Sequence, residues 1–178
     1  EAPDGHEFAL VGGHEGTHIV DISSNPSSPT ETGFIPGASS IWRDLKVHQH
    51  YAYVTNESGN GMDIIDLSDP WNPILVSQYF GFWTAHNLYI DDGYAYIAGS
   101  NLGSGGIRIL DLSDPTQPVE VGSWETTYIH DLYVKNNIVY AAGIEADKAF
   151  ILDVTNKGNI QSLATIWNIP HSHATWVS

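Results

Sequence analysis

The sequence predicts an all-β fold, a β-propeller of four-stranded antiparallel blades, on three observations. Short apolar runs recur at a fixed period. Each is followed about ten residues later by a second run that closes on Asp, an aliphatic residue and a hydroxyl residue, and Pro-rich turn signals then intervene with no helical period anywhere.

The first runs are Phe8-Ala9-Leu10-Val11, Tyr51-Ala52-Tyr53-Val54, Tyr94-Ala95-Tyr96-Ile97 and Ile138-Val139-Tyr140-Ala141, which start 43, 43 and 44 residues apart. The second runs end in Asp21-Ile22-Ser23, Asp66-Leu67-Ser68, Asp111-Leu112-Ser113 and Asp153-Val154-Thr155. In the first three repeats a turn follows, built on Asn25-Pro26, Asp69-Pro70 and Asp114-Pro115, whose residues preset φ or bond their own backbone. The repeated Asp residues are therefore expected to be turn and cap groups. A third strand is expected at 31–35, 74–79, 119–124 and 161–167, and a fourth before each Tyr-Ala-Tyr run, at 44–47, 87–90 and 131–134, with Ala174–Val177 ending the series. Such strands bury their faces against neighbouring repeats, so no single repeat would be stable alone.

The repeats, at about 1–43, 44–86, 87–130 and 131–173 with a closing strand at 174–178, form one domain. No inner strand precedes Phe8, whereas one follows Trp167. Two outcomes stay open: the last strand completes the first blade and closes a four-bladed ring, or the chain is part of a larger propeller. A start at Glu1 suits a processed mature protein or an excised fragment.

The 178 residues carry 6 Lys and Arg against 21 Asp and Glu, a formal charge of −15 that repels nucleic acid and anionic membrane. With no Cys there is no disulfide framework and no thiolate chemistry. No apolar run approaches the roughly 20 residues of a membrane-spanning helix. One sequon, Asn56-Glu57-Ser58, is compatible with secretion.

Several motifs, in order, carry a family resemblance: Trp42-Arg43-Asp44-Leu45-Lys46-Val47, Gly61-Met62-Asp63-Ile64-Ile65-Asp66-Leu67, Ala85-His86-Asn87-Leu88, Gly106 through Pro115, and Ile129-His130-Asp131-Leu132. Together with the Tyr-Ala-Tyr runs they resemble the choice-of-anchor B family, whose units are LVIVD repeats. The resemblance implies an extracellular or cell-surface propeller, typically with more blades than four.

Aligned on the Tyr-Ala-Tyr runs, Arg43, His86, His130 and His173 share one position, with Asp44, Asn87, Asp131 and Ala174 beside them. At the start of innermost strands these face the central channel. Three imidazoles converging there could hold a divalent transition metal, zinc or copper, with Asp44 and Asp131 orienting the rings or ligating. His171, two residues before His173 on an extended strand, would join from the same side. The alternatives are a structural ring of imidazoles, or an anion or substrate pocket around Arg43. The Gly-rich loop carrying His14, Glu15 and His18 and its counterparts could bind calcium but lack a calcium-loop spacing. His48 and His50 fall in a hairpin turn. Trp71, Trp83, Trp124 and Trp167 offer stacking surfaces for sugars or simply pack the blades. No nucleophile elbow or phosphate loop is present. Two functions follow. One is a binding module for an extracellular protein or glycan, with self-association or the remaining blades of the propeller as further partners. The other is a metal-dependent hydrolase or oxidoreductase using the His cluster.

Overall fold

The computed structural model describes residues 5–177; Glu1 at the start and Ser178 at the end of the expected closing strand lie outside the described residues. The first blade has three strands, β1 (Phe8–Gly13), β2 (Gly16–Asp21) and β3 (Thr30–Pro36). Three blades of four strands follow. They are β4 (Arg43–His48), β5 (Tyr51–Asn56), β6 (Met62–Asp66) and β7 (Ile74–Tyr79); β8 (Asn87–Asp91), β9 (Tyr94–Ala98), β10 (Ile107–Asp111) and β11 (Val119–Trp124); and β12 (Asp131–Lys135), β13 (Ile138–Gly143), β14 (Lys148–Asp153) and β15 (Gln161–Trp167). Within each sheet sequential strands pair antiparallel, so every blade is a meander. A single 3-10 turn, Ile144–Ala146, interrupts the β13–β14 connection.

The faces of each blade alternate with the period of two that strands impose. Tyr53, Met62 and Ile64 pack with Ala95, Ile97 and Leu110 of the next blade, while Val54, Ala52 and Ile65 pack back on Ile19 and Ile35. The third interface repeats the pattern, with Tyr96, Ile107 and Ile109 against Val139, Ala141 and Leu152. The core is thus three inter-blade layers rather than one centre.

Every blade carries a bulge at one place on its outermost strand, where Thr32, Val76, Val121 or Leu163 is the extra residue. The residue just after it is small: Gly33, Ser77, Gly122, Ala164. Into the first three of these notches fits the turn of the following blade, Pro-rich in the second and third blades and Asn156-Lys157-Gly158-Asn159 in the fourth. The Pro73 ring lies over Gly33, the Ser77 hydroxyl donates to the Thr116 carbonyl, and the Lys157 carbonyl presses on Gly122. The turns themselves are tied as the sequence predicts, for Asp21, Asp66, Asp111 and Asp153 each accept the amide two residues on. Hydrogen bonds from Ser113 hold the Asp111 carboxyl below its usual range. The sequon is also a turn: Asn56 is buried, its Nδ2 donates to Gly59 O, and its Oδ1 accepts the Ser58 and Gly59 amides. Its amide nitrogen is therefore not presented for glycosylation in the folded chain.

The blades form an open arc in which β4, β8 and β12 stand side by side along the axis and β1 adjoins β4. Among the described residues, 174–177 do not join the β1–β3 sheet, so no four-bladed ring is closed. Nor do they form a strand, because they have no sheet neighbour; they lie against β12 and β13 through Thr175.

The notches give a test of this packing. A Cβ on Gly122 would lie 1.7 Å from the Lys157 carbonyl oxygen. Gly122→Ala is expected to destabilise the chain by about 1–3 kcal/mol in urea unfolding, the usual cost of overpacking. Gly158→Ala, whose Cβ would meet nothing closer than 3.4 Å, is expected to leave the midpoint near that of the parent chain.

Candidate functional site

The meander sets where side chains go. The connections entering each inner strand (37–42, 80–86, 125–130, 168–173) and those between the second and third strands open at one end of the arc. At that end the aligned position forms a column of stacked rings. The Trp42 indole lies on His86 at 4.3 Å and 10°, His86 on His130 at 4.0 Å, and His130 on His173 at 4.0 Å. Main-chain bonds hold the stack: Trp42 Nε1 donates to His86 O, and His130 Nδ1 donates to His173 O at 3.0 Å.

This is a different geometry from the expected convergence on an ion. Imidazoles bound to one tetrahedral zinc at about 2.0–2.1 Å keep their ring centres about 5 Å apart. At 4.0 Å with tilted planes, His86, His130 and His173 touch as aromatic rings. Among the described residues no group of three or more His, Asp or Glu side chains is arranged to hold a metal.

The other expected ligands have structural partners. Asp44 Oδ2 accepts the Leu88 amide at 2.9 Å and Asn87 Nδ2 at 3.1 Å, while its Oδ1 accepts the Leu45 amide and Lys46 Nζ. Asp131 Oδ2 accepts the Thr175 amide at 2.8 Å in the same way. Asp44 thus clasps the inner strand of the following blade, and Asp131 clasps the segment 174–177. His171 sits in a turn at φ 51°, its amide on Asp147, so the strand argument that aimed it with His173 does not hold. Arg43 donates Nε to Gly13 O and Nη2 to the Ala38 carbonyl, while its Nη1 is buried with no partner, and burial lowers its pKa. Those two bonds brace the first two blades, and the unpartnered Nη1 is the group an anion at Arg43 would meet. His14 pairs with Glu15, and Glu15 with Ser39, inside the loop considered for calcium.

Two participants escaped the sequence reading. Glu57 Oε1 lies 2.6 Å from Nδ1 of the buried His86, which fixes the ring proton there and leaves Nε2 buried with no partner. Deeper in the channel, three residues beyond each aligned His, Tyr89, Tyr133 and Trp176 form a ladder with centres 4.9 and 5.0 Å apart. Burial first, then the neighbouring Tyr133, pushes the Tyr89 phenol up to about 12. The ladder walls a cavity of about 420 Å³ that also takes in Lys46, Asn87 and Asp131. Of the tryptophans proposed for sugar stacking, Trp124 packs edge-on against Phe150 and Trp71 against Phe8, whereas Trp83 and Trp167 are exposed.

A family model described as the LVIVD repeat matches residues 6–35, 41–80 and 84–126. The chain belongs to the LVIVD repeat family. The matched spans stop before the fourth blade, yet β12–β15 repeats the strand order and the bulge of the others, so this LVIVD protein holds four blades of one kind. No curated protein sequence matches the chain. Among solved structures it is similar to a candidate 6-phosphogluconolactonase of Bacteroides fragilis (TM-score 0.72, 15% identity, 99% of this chain and 56% of that one) and to a periplasmic gluconolactonase of Pseudomonas aeruginosa (0.72, 13%, 97% and 54%). A nidogen/laminin complex is similar at 0.61 and 9% identity, over 94% of this chain and 62% of that one. At these identities the likeness is one of fold, and the LVIVD chain spans little more than half the length of the lactonase-titled structures.

Stacking makes a prediction about charge. Desolvation, then the neighbouring His86, lowers the His130 pKa; His173 adds to this, against the opposing pull of its carbonyl and of Asp131. A histidine with a lowered folded pKa is protonated first in the unfolded chain, so its contribution to stability is lost as pH falls through about 6.5 and levels off below the folded value. NMR titration of labelled histidines is expected to place His130 below about 6.5, and His86→Gln to move it upward. An unshifted His130, or no response to the variant, would contradict the column.

Proposed function

We propose that this LVIVD protein is an extracellular or cell-surface binding module of the choice-of-anchor B type that takes a neutral glycan along its axial groove. The observation that carries the reading is the cavity of about 420 Å³ walled by Tyr89, Tyr133 and Trp176 with Lys46, Asn87 and Asp131. Flat aromatic faces cover the C–H faces of a sugar ring, and a few fixed polar groups meet its hydroxyls, the usual composition of a small-ligand site. A net charge of −15 disfavours polyanionic glycans and leaves neutral ones. The test is a glycan array followed by tryptophan-fluorescence titration, with Trp176 as reporter. Tyr133→Ala is expected to weaken binding about tenfold, the loss of one aromatic stack. No neutral glycan bound, or unchanged affinity in the variant, sinks the proposal.

A metal-dependent enzyme is the second reading, and His86 favours it. A buried Nε2 with no partner, on a ring whose Nδ1 is held by Glu57, has the polarity of a metal ligand or a general base. Zinc or copper there would draw its remaining ligands from outside the stacked rings. Elemental analysis of the untagged protein and of His86→Ala tests it. Stoichiometric metal lost in the variant supports the enzyme, and no metal in either removes it.

A further inference from the structure

The end of the blades opposite the histidine column carries the hairpin turns of the inner strands and the turns that follow the repeated Asp caps. Where the third and fourth blades meet, a lysine fills the corner between them. Lys157 Nζ donates to Asn137 Oδ1 at 2.7 Å and to the Val154 carbonyl at 2.9 Å, and it stands 4.6 Å from the centre of the Tyr94 ring. Burial lowers its pKa, against the opposing pull of Asp92, Asp91 and Asp153, so three carboxylates act on the ammonium.

The corner one blade earlier has the same frame and no lysine. The turns at Asp92-Gly93 and Asn136-Asn137 share a backbone, with φ of 48° and 76° in one and 54° and 61° in the other. The turns after the caps match as well, for Asp114 and Asn156 each accept the amide two residues on at Oδ1 and the amide three residues on at the main-chain oxygen. Asp111 is thus equivalent to Asp153, Leu112 to Val154, and Pro115 to Lys157. Where the lysine would reach there is a cavity of about 180 Å³, lined by His48 and Gln49 of the second blade and by Asp92, Tyr94, Asp111 and Ser113 of the third. Gly93, also on its wall, has no side chain where Asn137 meets Lys157, and Asp92 puts a carboxylate where Asn136 is uncharged.

We infer that this cavity binds a primary alkylammonium group, which takes from outside the place that Lys157 fills from within at the next junction. The Leu112 carbonyl stands for that of Val154, and Asp92 and Asp111 supply the charge. An ammonium brings three N–H donors and no acceptor, which suits a recess walled by carboxylates and a carbonyl. The net charge of −15 draws cations toward the surface. Both corners lie between blades inside the chain, so the comparison does not involve its ends. The cavity is also remote from the axial groove and stands whatever that groove binds.

A free amine and a lysine side chain of another protein present the same group, and two probes separate them. Amide NMR of the whole chain, titrated with n-butylammonium and with Nα-acetyl-lysine amide, is expected to show saturable shifts at 48–49, 92–94 and 111–113. Affinity about tenfold higher for the lysine derivative assigns the site to peptide-borne lysine, and similar affinities assign it to a free amine. Pro115→Lys brings its own ammonium into the corner and is expected to weaken butylammonium binding by about tenfold or more, with an unchanged circular dichroism spectrum. Lys157→Ala empties the equivalent corner and is expected to add a second site, with new shifts at 91–92, 137 and 153–154. The inference is overturned by the absence of saturable shifts at the cavity residues, or by unchanged affinity in folded Pro115→Lys. It is overturned equally if folded Lys157→Ala gains no site, or if tetramethylammonium, which has no N–H to donate, binds as tightly as butylammonium.

Discussion

Everything in this molecule depends on the burial of blade faces against neighbouring blades. A four-stranded meander has two apolar faces and no interior of its own, so Tyr53 and Val54, adjacent in sequence, must find different partner blades. That requirement explains why the chain repeats a pattern of 43 to 44 residues instead of varying it: one solution to the interface, once found, serves each junction. It also explains where polar groups are spent. The Asp44 clasp, the turns seated in the bulge notches, and the Arg43 brace all join one blade to the next, and Asp131 holds residues 174–177 in the same manner.

The strands were legible in the sequence because period and turn chemistry agree. The outermost strands at 74–79, 119–124 and 161–167 fall on their expected residues, and the repeated Asp caps behave as their position before a hydroxyl residue implies. Alignment of the repeats also brought His86, His130 and His173 to one column. What a period reports is equivalence, not direction. Side chains related by rotation about an axis can converge on a point or stack along a path, and the spacing is the same in both cases. Ring centres at 4.0 Å with planes tilted at 52° and 50° put these side chains in ring contact, and no residue in the sequence announced it. The tyrosine ladder was legible in principle, since Tyr89, Tyr133 and Trp176 each stand three residues after an aligned His. The bulges were not, because an extra residue in a strand leaves no compositional mark beyond the small residue that follows it.

The column sets up an electrostatic asymmetry along the channel. His86 is tied to a carboxylate and buried, His130 is crowded by two other imidazoles, and His173 is exposed. Desolvation, then the neighbouring His86, favours the neutral form of His130. The mouth of the channel is therefore lined by aromatic rings with the Glu57 carboxylate among them, in a protein of net charge −15. A ligand entering there meets aromatic faces beside the Glu57 carboxylate, which suits a neutral molecule with hydroxyl donors better than an anion.

The same logic makes the end of the chain part of the site. Trp176 is 82% exposed and belongs to no sheet, yet it supplies one wall of the axial cavity and continues the ladder begun by Tyr89. A side chain held by one ring contact and one backbone clasp is a poor wall for a binding groove, because its own rotamers compete with the bound arrangement. Pairing of residues 174–177 with a neighbouring strand would fix the backbone under Trp176 and bury its flank. Strand pairing at this end and order in the groove are then one event. On that ground the affinity of the site depends on whatever supplies the strand partner, even where that partner touches no ligand.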